Sequence, residues 1–227
     1  MTEDDAQDWL RAQGWWEGVP GDRLRGLAAL VLEESDRQNL ISAASRAQIW
    51  SRHIVDSAQL LMLPTLGPAR GGCWVDLGTG AGFPGLVIAC LRPAPMALVE
   101  VRPLRVAFLD RAARSLGLDH VTVMGTKVEK VTLPTPASVI SARAYAPLDK
   151  LLASAHHLAD ENTVWLLPKG RNGEKELAIA RTQWQAVFHV EQSLTDPDSV
   201  IITAQGIAPR KVLKRSVKPM NSRRNRR

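Results

Sequence analysis

The chain has 227 residues, of which 45% are hydrophobic and 23% are charged, the usual balance of a globular protein. This length accommodates one sizeable domain and a smaller appendage. There is no run of about 18 apolar residues, which argues against a membrane-spanning helix, and the acidic N-terminus is unlike a signal peptide. Two cysteines, Cys73 and Cys90, are typical of buried thiols in a reducing compartment. We therefore expect a cytoplasmic protein without a metal site or a membrane anchor.

The net charge of +6 is concentrated at one end of the chain. Nine basic residues and no acid lie within residues 209–227, whereas the other 208 residues carry 20 basic and 23 acidic side chains. A dense basic segment attracts a polyanion such as nucleic acid, and salt weakens that attraction. We predict that this tail contacts RNA through Arg210 and Lys211. A solvated end without a partner is the alternative.

Residues 1–70 are predicted to form a helical extension. One apolar face with helical spacing runs from Leu24 to Val31. A second runs from Ile49 to Leu61, and Ser45 is the expected N-cap of that helix. Prolines and glycines between residues 64 and 72 then mark a boundary.

From Cys73 onward, short apolar strands alternate with helices, which predicts a mostly parallel sheet covered by helices on both faces. The last two strands are joined by a short turn without room for a helix, so they should pair antiparallel. Seven strands of this kind over residues 71–208 are the α/β arrangement of class I methyltransferases. The predicted strands are Cys73–Leu77, Met96–Val101, Val121–Met124, Val139–Ala142, Val164–Leu167, Val187–Val190 and Val200–Thr203.

A glycine-rich turn between the first strand and its helix is typical of a nucleotide-cofactor site. Its glycines are Gly78, Gly80, Gly82 and Gly85. Their spacing, with Glu100 further on, also fits NAD or FAD. Asp76 precedes the turn, and its carboxylate would repel a pyrophosphate but would form a charge-assisted hydrogen bond with the ammonium group of S-adenosylmethionine. The turn therefore favours S-adenosylmethionine, and an NAD-dependent oxidoreductase remains the alternative.

Further candidate residues follow the other strands, because ligands of such sheets bind at the carboxyl ends of the strands. Glu100 is placed to accept hydrogen bonds from ribose hydroxyls, and Val128-Glu129 follow the third strand, where an adenine would lie. Arg143 interrupts an apolar run after the fourth strand and could hold a carboxylate, a phosphate or a guanine edge. Lys169 ends the fifth strand and could contact an RNA phosphate. Arg143 and Lys169 could instead be ion-pair partners.

The groups that the chain lacks exclude some classes of methyl acceptor. Cys73 and Cys90 lie inside a predicted strand and helix, so neither suits the nucleophilic attack on pyrimidine C5. The turn Ser141–Tyr145 is not the Asn/Asp-Pro-Pro-aromatic turn of adenine amino-methyltransferases. Guanine N7 has a free lone pair and needs no general base, so alignment and electrostatic support would suffice.

The chain resembles the bacterial 16S rRNA guanine-N7 methyltransferase family, RsmG or GidB, from about Trp15 to Arg210. The motifs that carry the resemblance are Asn39-Leu40-Ile41-Ser42, Arg52-His53 with Asp56-Ser57, Asp76–Gly85, Val128-Glu129, Arg143-Ala144 and Lys169-Gly170. The resemblance implies methylation of guanine 527 in the 530 loop of 16S rRNA, in the 30S subunit. It also implies S-adenosylmethionine contacts at Gly78, Phe83, Val128, Glu129 and Arg143.

Together these patterns predict a monomeric enzyme with three groups of site residues. Arg143 and Lys169 are the predicted catalytic residues. Local spacing alone favours a surface pairing of Arg52 and His53 with Asp56, one helical turn away. The predicted RNA contacts are Arg52, His53, Lys169, Arg210 and Lys211. The predicted cofactor contacts are Asp76, Gly78, Gly80, Gly82, Phe83, Glu100, Val128, Glu129 and Arg143. A non-catalytic RNA-binding protein that uses the basic tail is a third hypothesis.

Overall fold

Seven strands form one sheet in the computed structural model, which describes residues 1–67 and 71–210. The strands are β1 (Trp74–Leu77), β2 (Met96–Val99), β3 (Val121–Met124), β4 (Val139–Ser141), β5 (Val164–Lys169), β6 (Trp184–Gln192) and β7 (Val200–Pro209). Their order is β3-β2-β1-β4-β5-β7-β6, in which β1 to β5 are parallel and β7 runs antiparallel to both of its neighbours. The predicted α/β sheet with a closing antiparallel pair is confirmed.

The helices lie on both faces of this sheet. They are α1 (Glu3–Ala12), α2 (Gly18–Gln38), α3 (Ala43–Arg46), α4 (Asp56–Ala58), α5 (Gly85–Leu91), α6 (Pro103–Ser115), α7 (Leu148–Ala155) and α8 (Gly173–Gln183). A π-helical turn over Trp50–Val55 leads into α4. Short 3₁₀ turns occupy Gln59–Met62, Pro64–Leu66, Val128–Lys130 and His156–Leu158. No helix of the described ranges is long and apolar enough to cross a membrane.

The core has two layers because successive side chains of each strand point to opposite faces of the sheet. Trp74 of β1 belongs to a core cluster that also contains residues of α1, α2, α5, α6 and the π-helical turn. Val75 and Leu77 of the same strand pack on the other face with α7 and α8. The N-terminal helices therefore cover one face of the sheet and share its hydrophobic core.

Polar contacts also fasten α2 to α6. Glu34 is buried and forms an ion pair with Arg111. Arg23 donates hydrogen bonds to the carbonyl oxygens of Leu116 and Gly117, at 3.0 and 2.7 Å. These contacts fix the N-terminal helices relative to the sheet, which matters because the π-helical turn reaches the loop after β4.

Two local predictions for the N-terminal region are wrong. Ser42, not Ser45, is the N-cap: its backbone is extended, and its Oγ accepts a hydrogen bond from the Ser45 N–H at 3.2 Å. The helix that it caps, α3, ends at Arg46. The expected regular helix over Ile49–Leu61 is instead a π-helical turn, one short α-helical turn and a 3₁₀ turn. The apolar stripe predicted the buried face but not the pitch of the helix.

Candidate active site

The glycine-rich turn is compact and lies against the loop after β4. Thr79 donates its N–H to the carbonyl oxygen of Val99 at 3.2 Å, which ties the turn to β2. Gly78 has a φ of 61°, and a Cβ at this position would lie 2.5 Å from Cδ2 of Tyr145. Only glycine satisfies both the left-handed conformation and this close approach.

Asp76 lies fully buried beneath the turn and joins three elements. Its Oδ1 accepts a hydrogen bond from the Ser141 hydroxyl at 2.7 Å, and its Oδ2 accepts one from the Gly85 N–H at 3.0 Å. Trp74 Nε1 in turn donates to Ser141 Oγ at 2.8 Å. Burial raises the pKa of Asp76 to about 6, against the lowering effect of these hydrogen bonds.

This arrangement changes the reason for disfavouring a dinucleotide. A pyrophosphate would bind the first free N–H groups of α5, but Asp76 already occupies the Gly85 N–H. Glu100 similarly accepts the Gly80 N–H at 3.1 Å. Both carboxylate oxygens of Asp76 already have hydrogen-bond partners within the protein. A contact between Asp76 and the ammonium group of S-adenosylmethionine therefore remains a prediction.

Gly85→Ala is expected to lower the free energy of unfolding by about 1–3 kcal/mol through overpacking. A Cβ at Gly85 would lie 2.3 Å from Leu98 Cδ2 and 2.9 Å from Asp76 Oδ2. Gly170→Ala is the matched control, since nothing lies within 4 Å of a Cβ there. Urea unfolding of both variants measures the difference, and equal free energies would contradict the packing argument.

A first cavity of about 440 Å³ opens where β1, β2 and β3 end. It brings together four of the predicted cofactor residues: Gly78, Glu100, Val128 and Glu129. Glu100 is buried, and its Oε1 accepts the N–H groups of Val101 and Arg102 at 2.7 and 2.9 Å. A carboxylate has about four acceptor sites, so Glu100 retains capacity for a ligand hydroxyl beyond its three backbone partners.

Eight further residues line the first cavity and were not predicted from the sequence. They are Val99, Val101, Arg102, Arg105, Thr126, Lys127, Ala144 and Tyr145. Arg102 and Arg105 flank the start of α6, directly after Glu100, so their position next to that acid was the available signal. The predicted cofactor residues that do not line this cavity are Asp76, Gly80, Gly82, Phe83 and Arg143.

Arg143 lies in a cluster that joins the loop after β4 to the π-helical turn. Its Nη1 donates hydrogen bonds to Asp56 Oδ2 and to the carbonyl oxygen of Arg52, both at 3.0 Å. Its Nη2 lies 2.9 Å from His53 Nδ1. The predicted local pairing of Arg52 and His53 with Asp56 is therefore wrong, because the partner of Asp56 is Arg143.

The pitch of the helix explains this difference. Asp56 donates its N–H to the carbonyl oxygen of Ser51, five residues back, so the turn holds one more residue than an α-helical turn. This displaces Arg52 from Asp56, and Arg52 Nη2 instead lies 3.8 Å from Asp196 Oδ2. The α-helical spacing rule does not apply to this stretch.

Phe83 is buried and completes the Arg143 cluster. Its ring stacks on His53 with centroids 4.8 Å apart and planes inclined by 17°, and the Arg143 guanidinium lies 5.2 Å from its centroid. Burial, together with the positive charges of Arg143 and Arg52, lowers the pKa of His53 to about 3. His53 is therefore neutral at pH 7. Because a guanidinium only donates, Nδ1 is the acceptor and the proton resides on Nε2.

A second cavity of about 490 Å³ lies beside the first and shares Ala144 and Tyr145 with it. Arg143 and Lys169, the two predicted catalytic residues, both line it. Lys169 is largely buried, and its Nζ donates to the carbonyl oxygen of Ala146 at 2.8 Å and to Glu176 Oε2 at 2.9 Å. Lys169 therefore forms an ion pair, which was the alternative to a contact with an RNA phosphate, and this ion pair lies in the wall of the second cavity.

Of the two predicted tail contacts, the structure describes Arg210, which lies away from both cavities. β7 runs antiparallel to β5, with Val200 opposite Lys169, so the end of β7 lies at the opposite edge of the sheet from the cavities. Arg210 follows β7 directly and donates its Nε to the carbonyl oxygen of Trp184 at 3.2 Å. Lys211 lies outside the described residues.

Comparisons with known proteins show which family the chain belongs to. The family model GidB, described as rRNA small subunit methyltransferase G, matches residues 22–199. The chain belongs to this family. Ribosomal RNA small subunit methyltransferase G of Rhizorhabdus wittichii is 48% identical over 216 residues, which cover 92% of this chain and 95% of that relative. The protein of the same name from Novosphingobium aromaticivorans is 46% identical over 209 residues, covering 92% and 90% of the two chains.

Solved structures agree on the fold of this GidB family member. A SAM-dependent methyltransferase from Aquifex aeolicus superposes with a TM-score of 0.54 at 15% identity, covering 76% of this chain and 97% of that one. The N-methyltransferase NodS from Bradyrhizobium japonicum, in complex with S-adenosyl-L-homocysteine, gives a TM-score of 0.54 at 13% identity, covering 78% and 98%. The class I methyltransferase fold is confirmed, and family membership excludes the oxidoreductase and the non-catalytic hypotheses.

Proposed function

We propose that this protein transfers a methyl group from S-adenosylmethionine to N7 of a guanine in 16S rRNA, guanine 527 of the 530 loop. The observation that carries the proposal is the first cavity, in which Gly78, Glu100 and Val128-Glu129 converge from three strand ends. Membership of the GidB family supports small-subunit rRNA as the substrate. Because both faces of the sheet are covered within one chain, we propose that it acts as a monomer, in the cytoplasm where ribosomal subunits assemble.

The first cavity suits S-adenosylmethionine along its length. The bare Cα of Gly78 lets the Tyr145 ring pack against the turn, and both residues line the part of the cavity where the methionine part would lie. Glu100, which retains one acceptor site, would accept a hydrogen bond from a ribose hydroxyl, and Val128 and Glu129 would flank the adenine. When bound, the cofactor supplies an electrophilic methyl group on a sulfonium. The protein's own residues hold it and orient the acceptor.

The second cavity suits an acceptor that is already nucleophilic. Neither a cysteine nor a histidine is among the described residues that line it. Its carboxylates, Asp56 and Glu176, are held in ion pairs with Arg143 and Lys169 rather than standing free as general bases. Guanine N7 needs no base, because its lone pair can attack as soon as it is aligned with the methyl group. Transfer moves the positive charge of the sulfonium onto the guanine, so the carboxylates of the cavity wall would provide the electrostatic support, whereas Arg143 and Lys169 would position the base.

The test is methyl transfer from labelled S-adenosylmethionine to 30S subunits and to naked 16S rRNA that lack this modification. We expect label on guanine N7 in the 530 loop, mapped by nucleoside analysis. Glu100→Ala should lower transfer at least tenfold by weakening cofactor affinity, because the lost carboxylate both binds the turn and faces the cavity. Glu174→Ala, at an exposed position of α8, should transfer at the wild-type rate. Label on another atom, or none in either substrate, would overturn the proposal.

A further inference from the structure

The two cavities meet at a sharp turn of the chain after β4. Ala144 has a φ of 52°, a left-handed conformation that is uncommon for a residue with a Cβ. It turns the chain so that Arg143 lines the second cavity while the Tyr145 ring packs against Gly78 of the first. An acceptor atom bound in the second cavity near Ala144 and Tyr145 would thus face the methyl donor.

Lys169 and Glu176 form a paired donor and acceptor in the wall of the second cavity. Lys169 Nζ lies between the carbonyl oxygen of Ala146 and Glu176 Oε2. Glu176 Oε2 also accepts the Leu148 N–H at 2.9 Å. Within the described residues, the side-chain hydrogen bonds of Glu176 both use Oε2, and the side chain remains 28% exposed. The ammonium group has three donors and two partners, so both groups have capacity for a ligand.

We propose that the second cavity takes the unstacked target guanine and that Lys169 and Glu176 read its Watson–Crick edge. The inference rests on the proposed function and deepens it. Around a guanine, N7 is followed by O6, then by N1–H and the N2 amino group. In the cavity wall, the Lys169 ammonium contacts Ala146 on one side and Glu176 on the other. With N7 towards the first cavity, Lys169 donates to O6, and Glu176 accepts from N1–H and the N2 amino group.

Physical constraints on RNA support an unstacked base. In an A-form helix N7 lies in a deep, narrow major groove that side chains cannot reach. Enzymes that modify a base extrude it into a pocket and read its Watson–Crick edge there. A cavity of 490 Å³ is within the range of small-molecule sites and accommodates a base with its sugar.

The pair discriminates against adenine by charge as well as by hydrogen bonding. In the same orientation, adenine places its N6 amino donor against the Lys169 ammonium and its N1 lone pair against the Glu176 carboxylate. Both contacts are repulsive, whereas guanine makes both attractive. A well-placed pair of this kind is expected to favour guanine about tenfold to a hundredfold.

The experiment replaces the target guanine by inosine or 2,6-diaminopurine in 16S rRNA assembled into 30S subunits. Inosine keeps O6 and N1–H, whereas 2,6-diaminopurine presents an amino donor and an N1 lone pair; all three bases carry N7. We expect wild-type kcat/KM to be highest for guanine, somewhat lower for inosine and at least tenfold lower for 2,6-diaminopurine. Glu176→Gln should lower kcat/KM on guanine at least tenfold and reduce the discrimination, because its amide can donate to N1 of the analogue.

Glu174→Gln on the same helix is the control and should keep both rate and discrimination. Calorimetry should give both variants wild-type affinity for S-adenosylmethionine. Equal losses on guanine and on the analogue in Glu176→Gln would overturn the reading role. If Glu176→Gln does not fold, the wild-type series decides, and methylation of 2,6-diaminopurine at the guanine rate would overturn the inference. A wild-type enzyme that labels no guanine would instead overturn the proposed function itself.

Discussion

Asp56→Ala is expected to lower methyl transfer about a hundredfold and the free energy of unfolding by about 2–4 kcal/mol. Asp56 Oδ2 binds Arg143, and its Oδ1 accepts hydrogen bonds from Thr195 Oγ1 and Gln59 Nε2 at 2.8 and 3.0 Å. The carboxylate therefore holds Arg143, the loop between β6 and β7 and the N-terminal helices in one arrangement. Its removal leaves a largely buried guanidinium, 20% exposed, without its anion.

A double-mutant cycle with Arg143→Ala separates this pairing from general loss of structure. We expect a coupling free energy of about 1–3 kcal/mol between the two positions, measured by urea unfolding. Asp198→Ala is the matched control: its ion pair with Arg171 is exposed, and its loss should change stability by less than about 1 kcal/mol. Additive effects of Asp56→Ala and Arg143→Ala would show that the cluster does not act as a unit.

The cofactor side of the site was largely predictable because its signals are local. Gly78 and Glu100 directly follow β1 and β2, and Val128 lies four residues after the end of β3. Parallel strands connected by right-handed crossovers place their carboxyl ends at one edge of the sheet. Strand positions alone therefore predicted that these residues converge, and they do. Strand positions did not predict which of these side chains would face the cavity. Asp76 also lies near the end of a strand, but its carboxylate is buried beneath the turn and binds Ser141 and Gly85.

The acceptor side was poorly predictable because its contacts join distant parts of the chain. Asp56 and Arg143 are 87 residues apart, and their pairing depends on how the N-terminal helices dock on the sheet. The π-helical turn has no hydrophobic pattern that distinguishes it from an α-helix. Glu176 gave no signal of its own, because a charged residue on an amphipathic helix is normally solvated. Its role becomes visible only when Lys169 is seen beside it.

Stability between pH 4 and 6.5 is expected to depend on Asp76 and His53 with opposite signs. The folded pKa of Asp76 is about 6, above its ordinary value of 3.8, so the folded state binds more protons than the unfolded state in this window. Lowering the pH therefore stabilises the protein through Asp76, by up to about 3 kcal/mol. The folded pKa of His53 is about 3, below its ordinary value of 6.5, so lowering the pH destabilises the protein through His53.

Because other groups titrate in the same range, the measurement compares each variant with the wild type across pH 4 to 6.5. Relative to Asp76→Asn, the wild type should gain stability as the pH falls. Relative to His53→Gln, it should lose stability. Two differences with the same sign of slope would contradict the assignment of a buried carboxyl group and a buried neutral imidazole.

The neutral state of the His53 imidazole also matters for methyl transfer. Neutral His53 accepts a hydrogen bond from Arg143 at Nδ1, and its ring stacks on Phe83. A protonated imidazole would place two donors face to face and two positive charges at hydrogen-bond distance. Because the folded pKa of about 3 lies below pH 4, His53 stays neutral between pH 4 and 6.5 and Arg143 keeps its place in the second cavity. His53→Gln should therefore weaken methyl transfer by a similar factor at every pH from 4 to 6.5, and a loss that changes with pH over this range would contradict a neutral, buried imidazole.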